Sequence, residues 1–372
     1  IYRIGQVLPA LEGYDEFIVV NKGDYTVINY AVSKPGTFDM SGPDDLHGAI
    51  RRECRGLIFN AKGELISRPF HKFFNAFERP ETHLTNEHVS SSHMIYEKLD
   101  GSMIRPLYSE GRLRLGTKMG ITDTSLQAEE WANINPWVWS WIDTSMQFGY
   151  TPIFEWVSPE NRIVVNYEKS DLILLAIRDT YEGTYLDLSP TNGYMARYYG
   201  TVARQYGNIS DVKQYIQRVR SDTNREGDII RFSTGHMVKI KSEWYVTIHK
   251  AKELIESDRH IAKAILEDDL DDVISLLPES DHERVRDFER EFWSAMGDKH
   301  DRIVELCERA KTYPDRKSVS LELVSKLDDK TLARYIFGSL DGKFVDDMLK
   351  ANALAATNTN TKFAAFMEWL KD

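Results

Sequence analysis

The residues best suited to do chemistry lie in the run Ile95-Tyr-Glu-Lys-Leu-Asp-Gly-Ser102. An apolar lead-in brings Lys98 to the end of a strand and Asp100-Gly101 makes a tight turn directly after it, so this lysine can be held rigidly inside a pocket. The chemistry open to it is nucleophilic, and it demands a neutral amine, whereas an unperturbed lysine titrates near ~10.4. An isolated Lys-x-Asp-Gly is far more often a surface strand ending in a turn. Here it has company. In order along the chain stand Glu53-Cys-Arg-Gly56, Arg68-Pro-Phe-His-Lys-Phe-Phe-Asn75, Thr117-Lys118, Phe154-Glu-Trp156, Glu226-Gly-Asp228 and Val238-Lys-Ile-Lys-Ser-Glu-Trp-Tyr245.

Together these motifs resemble those of the covalent nucleotidyltransferases, the superfamily of ATP-dependent ligases and RNA capping enzymes. They resemble in particular the phage RNA ligases of the first type, the tRNA-repair ligases. The likeness rests on Glu-Cys-Arg-Gly, Lys-Phe-Phe-Asn, Lys-x-Asp-Gly-Ser, Asn161-Arg-Ile-Val164 after Phe-Glu-Trp, and Lys-Ile-Lys-Ser-x-Trp-Tyr, and it spans about Tyr25 to Tyr245. It implies that Lys98 is the nucleophile that becomes adenylylated, with Lys239 and Lys241 at the α-phosphate. Arg55 and Lys72 match positions that hold the outer phosphates or ribose, and Glu155 matches the acidic ribose-binding position. Tyr30 matches an ATP-contacting tyrosine, with a core strand tyrosine as the equally good alternative. Ser102, Lys118 and Tyr245 match positions needed in later steps. Glu226 is the acidic member of its motif, expected near the metal.

The chemistry explains why these residue types belong together. Neighbouring cations and partial burial both disfavour an ammonium, and Arg55, Lys72, Lys239 and Lys241 could supply the positive field around Lys98. Attack on an α-phosphate with pyrophosphate leaving then needs cations at both ends of a triphosphate, work that a bound Mg²⁺ would share. The acidic run Glu267-Asp-Asp-Leu-Asp-Asp272 reads first as a solvated helix face or interhelix loop. Leu270-Asp-Asp-Val-Ile-Ser275 nevertheless resembles a segment early in the family's helical domain that faces the active site through a hydrated metal, which makes Asp271 a candidate for Mg²⁺ or Mn²⁺.

The elements that must position these residues fall into two parts. Up to about residue 250 the chain returns to short β-rich runs: Phe17–Val20, Leu57–Phe59, Leu113–Leu115, Ile153–Trp156, Leu172–Leu175, Ile229–Phe232 and Val238–Lys241. Ser109-Glu-Gly-Arg112 reads as a hairpin turn, and helices are expected around Ser125–Ile134 and Ser210–Arg220. Residues 1–249 are therefore expected to form an α+β nucleotidyltransferase domain dominated by antiparallel strands. From Lys250 the pattern turns helical and strand signals vanish, which predicts an all-helical domain over 250–372 that the resemblance links to tRNA specificity.

Composition bounds the alternatives. At 372 residues two domains are expected, and the longest apolar run, Leu172–Ile177, ends against Arg178, so a membrane span is excluded. Two cysteines, Cys54 and Cys307, make neither a disulfide framework nor a cysteine-built metal site and fit a reducing compartment. No secretory leader shows, so the expectation is a cytoplasmic protein, in a host bacterium if phage-encoded. The net charge of −11 argues against an anionic partner until it is divided. Residues 251–372 hold 19 Lys and Arg against 27 Asp and Glu, leaving 28 against 31 before them, so the acidity is concentrated in the last third.

Two decoys fall away. Gly111-x4-Gly116-Thr117-Lys118 has Thr where a phosphate-binding P-loop wants Lys and lies in an expected hairpin with no following helix. The histidines show no zinc spacing, and the sequon Asn208-Ile-Ser210 lacks a secretory context.

The expected function is an ATP-dependent RNA ligase that joins 5′-phosphate and 3′-hydroxyl ends through lysine-AMP and RNA-adenylate intermediates. ATP and RNA are its expected partners, in the family's manner a broken tRNA anticodon loop, with an end-healing polynucleotide kinase/phosphatase as a functional pair and a monomeric state. The alternatives are a DNA ligase or capping guanylyltransferase, which typically add an OB-fold barrel where this chain turns helical, or a non-catalytic RNA-binding protein of the same fold.

Overall fold

The alternation of β-branched and aromatic residues in the first two thirds of the chain becomes sheet, and the Ala- and Leu-rich remainder becomes helix. The computed structural model describes residues 1–42, 44–189 and 199–372. Two units separate between Val246 and Thr247.

Among the described residues three sheets build the first unit. The first has the order β1 (Phe17–Asn21), β2 (Tyr25–Tyr30), β3 (Leu57–Asn60), β4 (Leu65–Ser67), and α1 (Leu46–Glu53) leads into β3. The second sheet places β7 (Ser102–Ser109) between β8 (Arg112–Gly116) and β9 (Tyr150–Val157), with β10 (Asp171–Asp179) outside β9. The third has the order β11 (Gln205–Tyr206), β6 (His93–Lys98), β12 (Gly227–Phe232), β13 (Met237–Lys241), β5 (Phe74–Asn75). Every pairing is antiparallel except β13 with β5. Helices α2 (Asp123–Ile134), α3 (Trp137–Gln147) and α4 (Val212–Ser221) cover these sheets, and α5 (Glu243–Ile255) follows β13 and contains the boundary between the units.

Strand alternation decides which residues reach a site. On β13, Val238 and Ile240 enter a core with Ile95, Ile230 and the Val212, Ile216 and Val219 face of α4. Their neighbours Lys239 and Lys241 therefore take the opposite face. Gly227 of β12 stands between Lys98 of β6 and Lys241 of β13 in register, and Ile229 likewise stands between Tyr96 and Lys239. Gly227 has φ +149, and a Cβ there would lie 2.0 Å from the Ile240 carbonyl oxygen, so only glycine lets the three strands close at this point.

The Ser109–Arg112 turn joins β7 to β8 with Glu110 and Gly111 both at positive φ, as a tight two-residue hairpin requires. A helix does follow the rejected P-loop segment. It begins at Asp123, after a Thr117–Gly120 turn, and not directly at Lys118 as a Walker motif needs.

The second unit is helical: α6 (Asp258–Glu267), α7 (Leu270–Ser275), α8 (Glu279–Lys311), α9 (Ala333–Leu340), α10 (Val345–Ala356) and α11 (Asn360–Lys371). On the 33-residue α8, Val285, Phe292, Met296, Ile303, Cys307 and Ala310 recur every three, four or seven positions and form one apolar stripe, the spine of this unit's core. Asp268 ends α6 in the left-handed conformation, so the acidic run 267–272 is an interhelix corner. Among the described residues no helix is long and apolar enough to cross a membrane.

Candidate nucleotide-binding site

Lys98 ends β6 and β7 starts at Ser102, so the Leu99-Asp-Gly101 turn steps from the third sheet to the second and leaves a cavity of about 220 Å³ between them. Arg55, Lys98, Asp100, Glu155, Glu226 and Tyr245 all line it. The turn is pinned at several points. A Cβ on Gly101 would meet the Trp156 carbonyl oxygen at 2.3 Å, and the Gly101 amide donates to Glu155 Oε1 at 3.1 Å. Asp100, 2% exposed, accepts the Val164 and Val165 amides on Oδ2, both at 2.7 Å, and the Tyr245 hydroxyl on Oδ1 at 2.7 Å. Its own amide donates to the Tyr167 hydroxyl at 2.9 Å. The Ser102 hydroxyl pairs with the Asn161 amide group, which also donates to the Trp156 carbonyl. The segment 161–165 thereby belongs to the Lys98 turn.

Lys98 Nζ donates to Glu226 Oε2 at 2.7 Å, and Lys241 Nζ meets the other oxygen at 3.0 Å. The register explains this bridge. Glu226 precedes Gly227, which stands between the two lysines, so one carboxylate reaches both. Lys98 is therefore not simply ringed by cations, the arrangement expected from the motif composition. The lysine on which burial and positive neighbours act is Lys239, pulled down to about 7 by burial and by Lys98, Lys72, Lys241 and Arg55. Glu155 moves the other way. Burial, helped by Glu226 and Asp100 and opposed by Lys98 and Arg55, pushes its carboxyl up to about 8.

The remaining cations gather on aromatic faces. Lys72 Nζ stands 4.9 Å and Lys118 Nζ 5.7 Å from the Tyr30 ring centre, while Arg55 and Lys239 lie 5.8 and 5.9 Å from that of Phe73. Burial alone would raise the Tyr30 phenol, yet Arg55, Lys72 and Lys118 together hold it below its ordinary value. Arg55, Lys72, Lys118 and Lys239 have no carboxylate partner among the described residues. Such a set can neutralise an anion with several negative oxygens, and its carboxylates can receive protons or share a metal with that anion.

Two residues before Arg55 lies a buried ion cluster. Glu53, at the end of α1, receives Arg178 through both oxygens at 2.7 and 2.9 Å and Arg68 Nε at 3.1 Å. Although burial opposes its charge, the two guanidinium groups hold the Glu53 carboxyl down at about 2. From β7, buried Arg105 donates to the Gly56 carbonyl, fixing the residue after Arg55.

Ten of the twelve residues singled out in the sequence thus line the cavity or stand on its cationic flank: Tyr30, Arg55, Lys72, Lys98, Lys118, Glu155, Glu226, Lys239, Lys241 and Tyr245. Ser102 adjoins the cavity at the start of β7. Asp271 belongs to the helical unit, where it is largely exposed and pairs with Arg286 at 2.6 Å. Among the described residues no three His, Cys, Asp or Glu side chains converge as a ready-made metal cage, at Asp271 or at Glu226. Sequence reasoning gives no role to Tyr167, Arg105 or Arg178. For Arg178 a signal exists, because a charged residue ending the longest apolar run of a buried strand must have a partner inside.

Comparison with known proteins places these residues in a wider set. The family model described as RNA ligase matches residues 53–245. A curated relative from Thermovibrio ammonificans, named as an RNA ligase, is 32% identical over 280 residues, which cover 73% of this chain and 70% of that protein. RNA ligase 1 of bacteriophage TS2126 is 24% identical, with 68% of this chain and 62% of that protein covered. A kinase–ligase named as bifunctional in Autographa californica nuclear polyhedrosis virus is 26% identical, and the matched stretch is 35% of its length. Among solved structures, a Naegleria gruberi RNA ligase variant with ATP and Mn aligns at 16% identity and a TM-score of 0.35, covering 44% of this chain and 53% of that one.

Proposed function

Because the chain belongs to the RNA ligase family, we propose that it is an ATP-dependent RNA ligase with Lys98 as its nucleophile. One observation carries this reading: a lysine amine lies in a cavity flanked by four cations that no protein carboxylate neutralises among the described residues. A nucleoside triphosphate supplies the missing negative charge.

In the first step Lys98 Nζ gives up its proton, for which Glu226 at 2.7 Å is the nearest acceptor, and attacks the α-phosphorus. A P–N bond forms, the bond to the bridging oxygen of the β-phosphate breaks, and pyrophosphate leaves. Arg55, Lys72 and Lys239 stabilise the charge that passes to the leaving group. An RNA 5′-phosphate oxygen next attacks the same phosphorus, which breaks the P–N bond and returns the lysine. Finally an RNA 3′-hydroxyl attacks the 5′-phosphate, loses its proton and releases AMP. Glu226 and Glu155 line the cavity and are the carboxylates that would share Mg²⁺ or Mn²⁺ with the phosphates, Glu226 on releasing a lysine and Glu155 on losing the proton that burial favours, while Asp100 is held by the Val164 and Val165 amides and the Tyr245 hydroxyl. A divalent ion bound there would screen phosphate charge.

Incubation with ATP labelled at the α-phosphate should label wild type and leave Lys98→Ala unlabelled; an unlabelled wild type overturns the reading. Sealing of nicks in RNA, DNA and hybrid duplexes separates it from a DNA ligase, since only an RNA ligase depends on a 2′-hydroxyl near the joined end. Labelling by GTP in preference to ATP would instead indicate a capping enzyme.

The finer substrate belongs to the same proposal. We assign the chain a broken tRNA anticodon loop, acting as a cytoplasmic monomer after an end-healing kinase/phosphatase. The motif likeness supports the first, and the relative that carries kinase and ligase in one chain supports the last. Faster sealing of a nicked anticodon stem-loop than of linear RNA of the same length is the expected result. Equal rates would refute the tRNA preference alone.

A further inference from the structure

A second recess, of about 770 Å³, lies in the first unit on the opposite face of the third sheet from the Lys98 cavity. Helix α4 gives it a mixed lining. Val212 and Ile216 turn toward the sheet and, with Leu84, make an apolar floor, while Lys213, Gln217 and Arg220 recur at helical spacing along the outer side. Lys213 and Arg220 are exposed and have no acidic partner among the described residues. At the rim stands Phe77, an aromatic side chain at 44% exposure whose backbone is held at φ +65, a conformation that costs a non-glycine residue free energy. Its ring and that of His83 make a T-shaped pair with centroids 5.5 Å apart, and much of its surface remains exposed. Among the described residues Glu243 supplies the one carboxylate of the lining.

Phe77 is joined to the catalytic machinery through the backbone. β5 is the edge strand, it pairs with β13 at Val238 and Lys239, and the Ala76 amide donates to the Lys239 carbonyl at 2.9 Å. The chain therefore passes from the nucleotide flank at Lys72, round the sheet edge, to an open aromatic ring and two unpaired cations. An exposed ring beside spaced cations over an apolar floor is the chemistry that holds unpaired nucleotides, by stacking bases and neutralising phosphates.

We propose that this groove binds a single-stranded stretch of the RNA substrate, a base stacking on Phe77 and phosphates meeting Lys213 and Arg220. The proposal rests on the ligase reading for its substrate class, but its test does not depend on catalysis. Fluorescence anisotropy of the full chain with a labelled single-stranded oligoribonucleotide, measured across salt, is the experiment. Phe77→Ala should weaken binding roughly tenfold while Phe77→Tyr retains it, and the loss should disappear on an abasic strand. The double variant Lys213→Glu/Arg220→Glu should reduce the slope of log affinity against log salt by about 1.4. Glu243→Gln should tighten binding, an outcome that misfolding cannot imitate. ATP labelling of Lys98 should match wild type in all four variants.

Unchanged RNA affinity in Phe77→Ala and the double variant overturns the proposal. So does an acidic peptide, polyglutamate, that binds wild type and not the double variant while RNA binds both alike, because the groove would then be a protein-docking face. A wild type that forms no adduct sinks the ligase reading and leaves the binding result from anisotropy intact.

Discussion

Two charged regions of the first unit make opposite use of burial. Around Glu53 neither cation lacks a carboxylate: Arg178 and Arg68 grip the same one, and further donors of theirs reach the Pro69, Gly183 and Tyr181 carbonyls. Around Lys98 the matching is left unfinished, with two lysines on Glu226 and four cations without a carboxylate among the described residues. A closed cluster is tied to structure because any loss leaves a buried charge alone. An open one is strained in isolation, which is visible in Lys239 at about 7 and Glu155 at about 8, and a ligand relieves the strain.

The sharpest way to break this comparison is Lys98→Ala. It should abolish the protein–AMP adduct while the melting temperature stays close to wild type, and lost folding with retained labelling would invert the contrast. Next comes Glu53→Gln, which strands two buried guanidinium groups and should cost about 3–5 kcal/mol in urea unfolding. Glu53 is held near 2 against an ordinary 4.5, so its contribution is present above pH 4.5 and is lost as pH falls toward 2. The acid limb of stability should flatten there in Glu53→Gln.

Lys239→Met removes a charge that the folded state tolerates poorly. Between pH 7 and 10.5 the folded chain has released this proton and the unfolded chain has not, so wild-type stability rises with pH across that window. The variant should lose that rise, keep or gain stability at pH 7, and bind ATP about tenfold to a hundredfold more weakly. Calorimetry in buffers of different ionisation heat should show wild type taking up a proton with ATP above pH 7, and Lys239→Met should not. The smallest effect belongs to Asp271→Ala. Its ion pair with Arg286 is exposed, and its loss should shift stability by less than about 1 kcal/mol.

Much of the fold is legible in the sequence because strand alternation and turn chemistry are local. Each β-rich run read from the sequence lies within a strand, the 109–112 hairpin turn is where its Glu-Gly places it, and the antiparallel α+β unit followed by helices is what the structure contains. Helices α1 and α3 are not legible in this way. In α3, Trp137, Trp139 and Trp141 alternate like a strand, and only packing of Val138 and Ile142 into the second sheet's core decides for helix. The start of α5 at Glu243 is hidden because Trp244-Tyr245 continues the β-rich motif before it. At the site, residue types and order show which cations and carboxylates belong together. Their pairing is a matter of register. Nothing in Glu226-Gly-Asp228 says that one carboxylate will span two strands, and nothing in Val238-Lys-Ile-Lys241 says that Lys239 will be buried among cations.

That bridge by Glu226 can be described as ion exchange with a counter-ion that cannot diffuse away. Free chloride around Lys72 or Lys118 is diluted or concentrated with the buffer, whereas the carboxylate on Lys98 and Lys241 is tethered to the chain at fixed local strength. Added salt should therefore erode the hold on the nucleotide where Lys72 and Lys118 contribute and leave the inner pair nearly untouched. The protein carries its own eluent at the point where the new bond is made, and only a more highly charged anion can displace it.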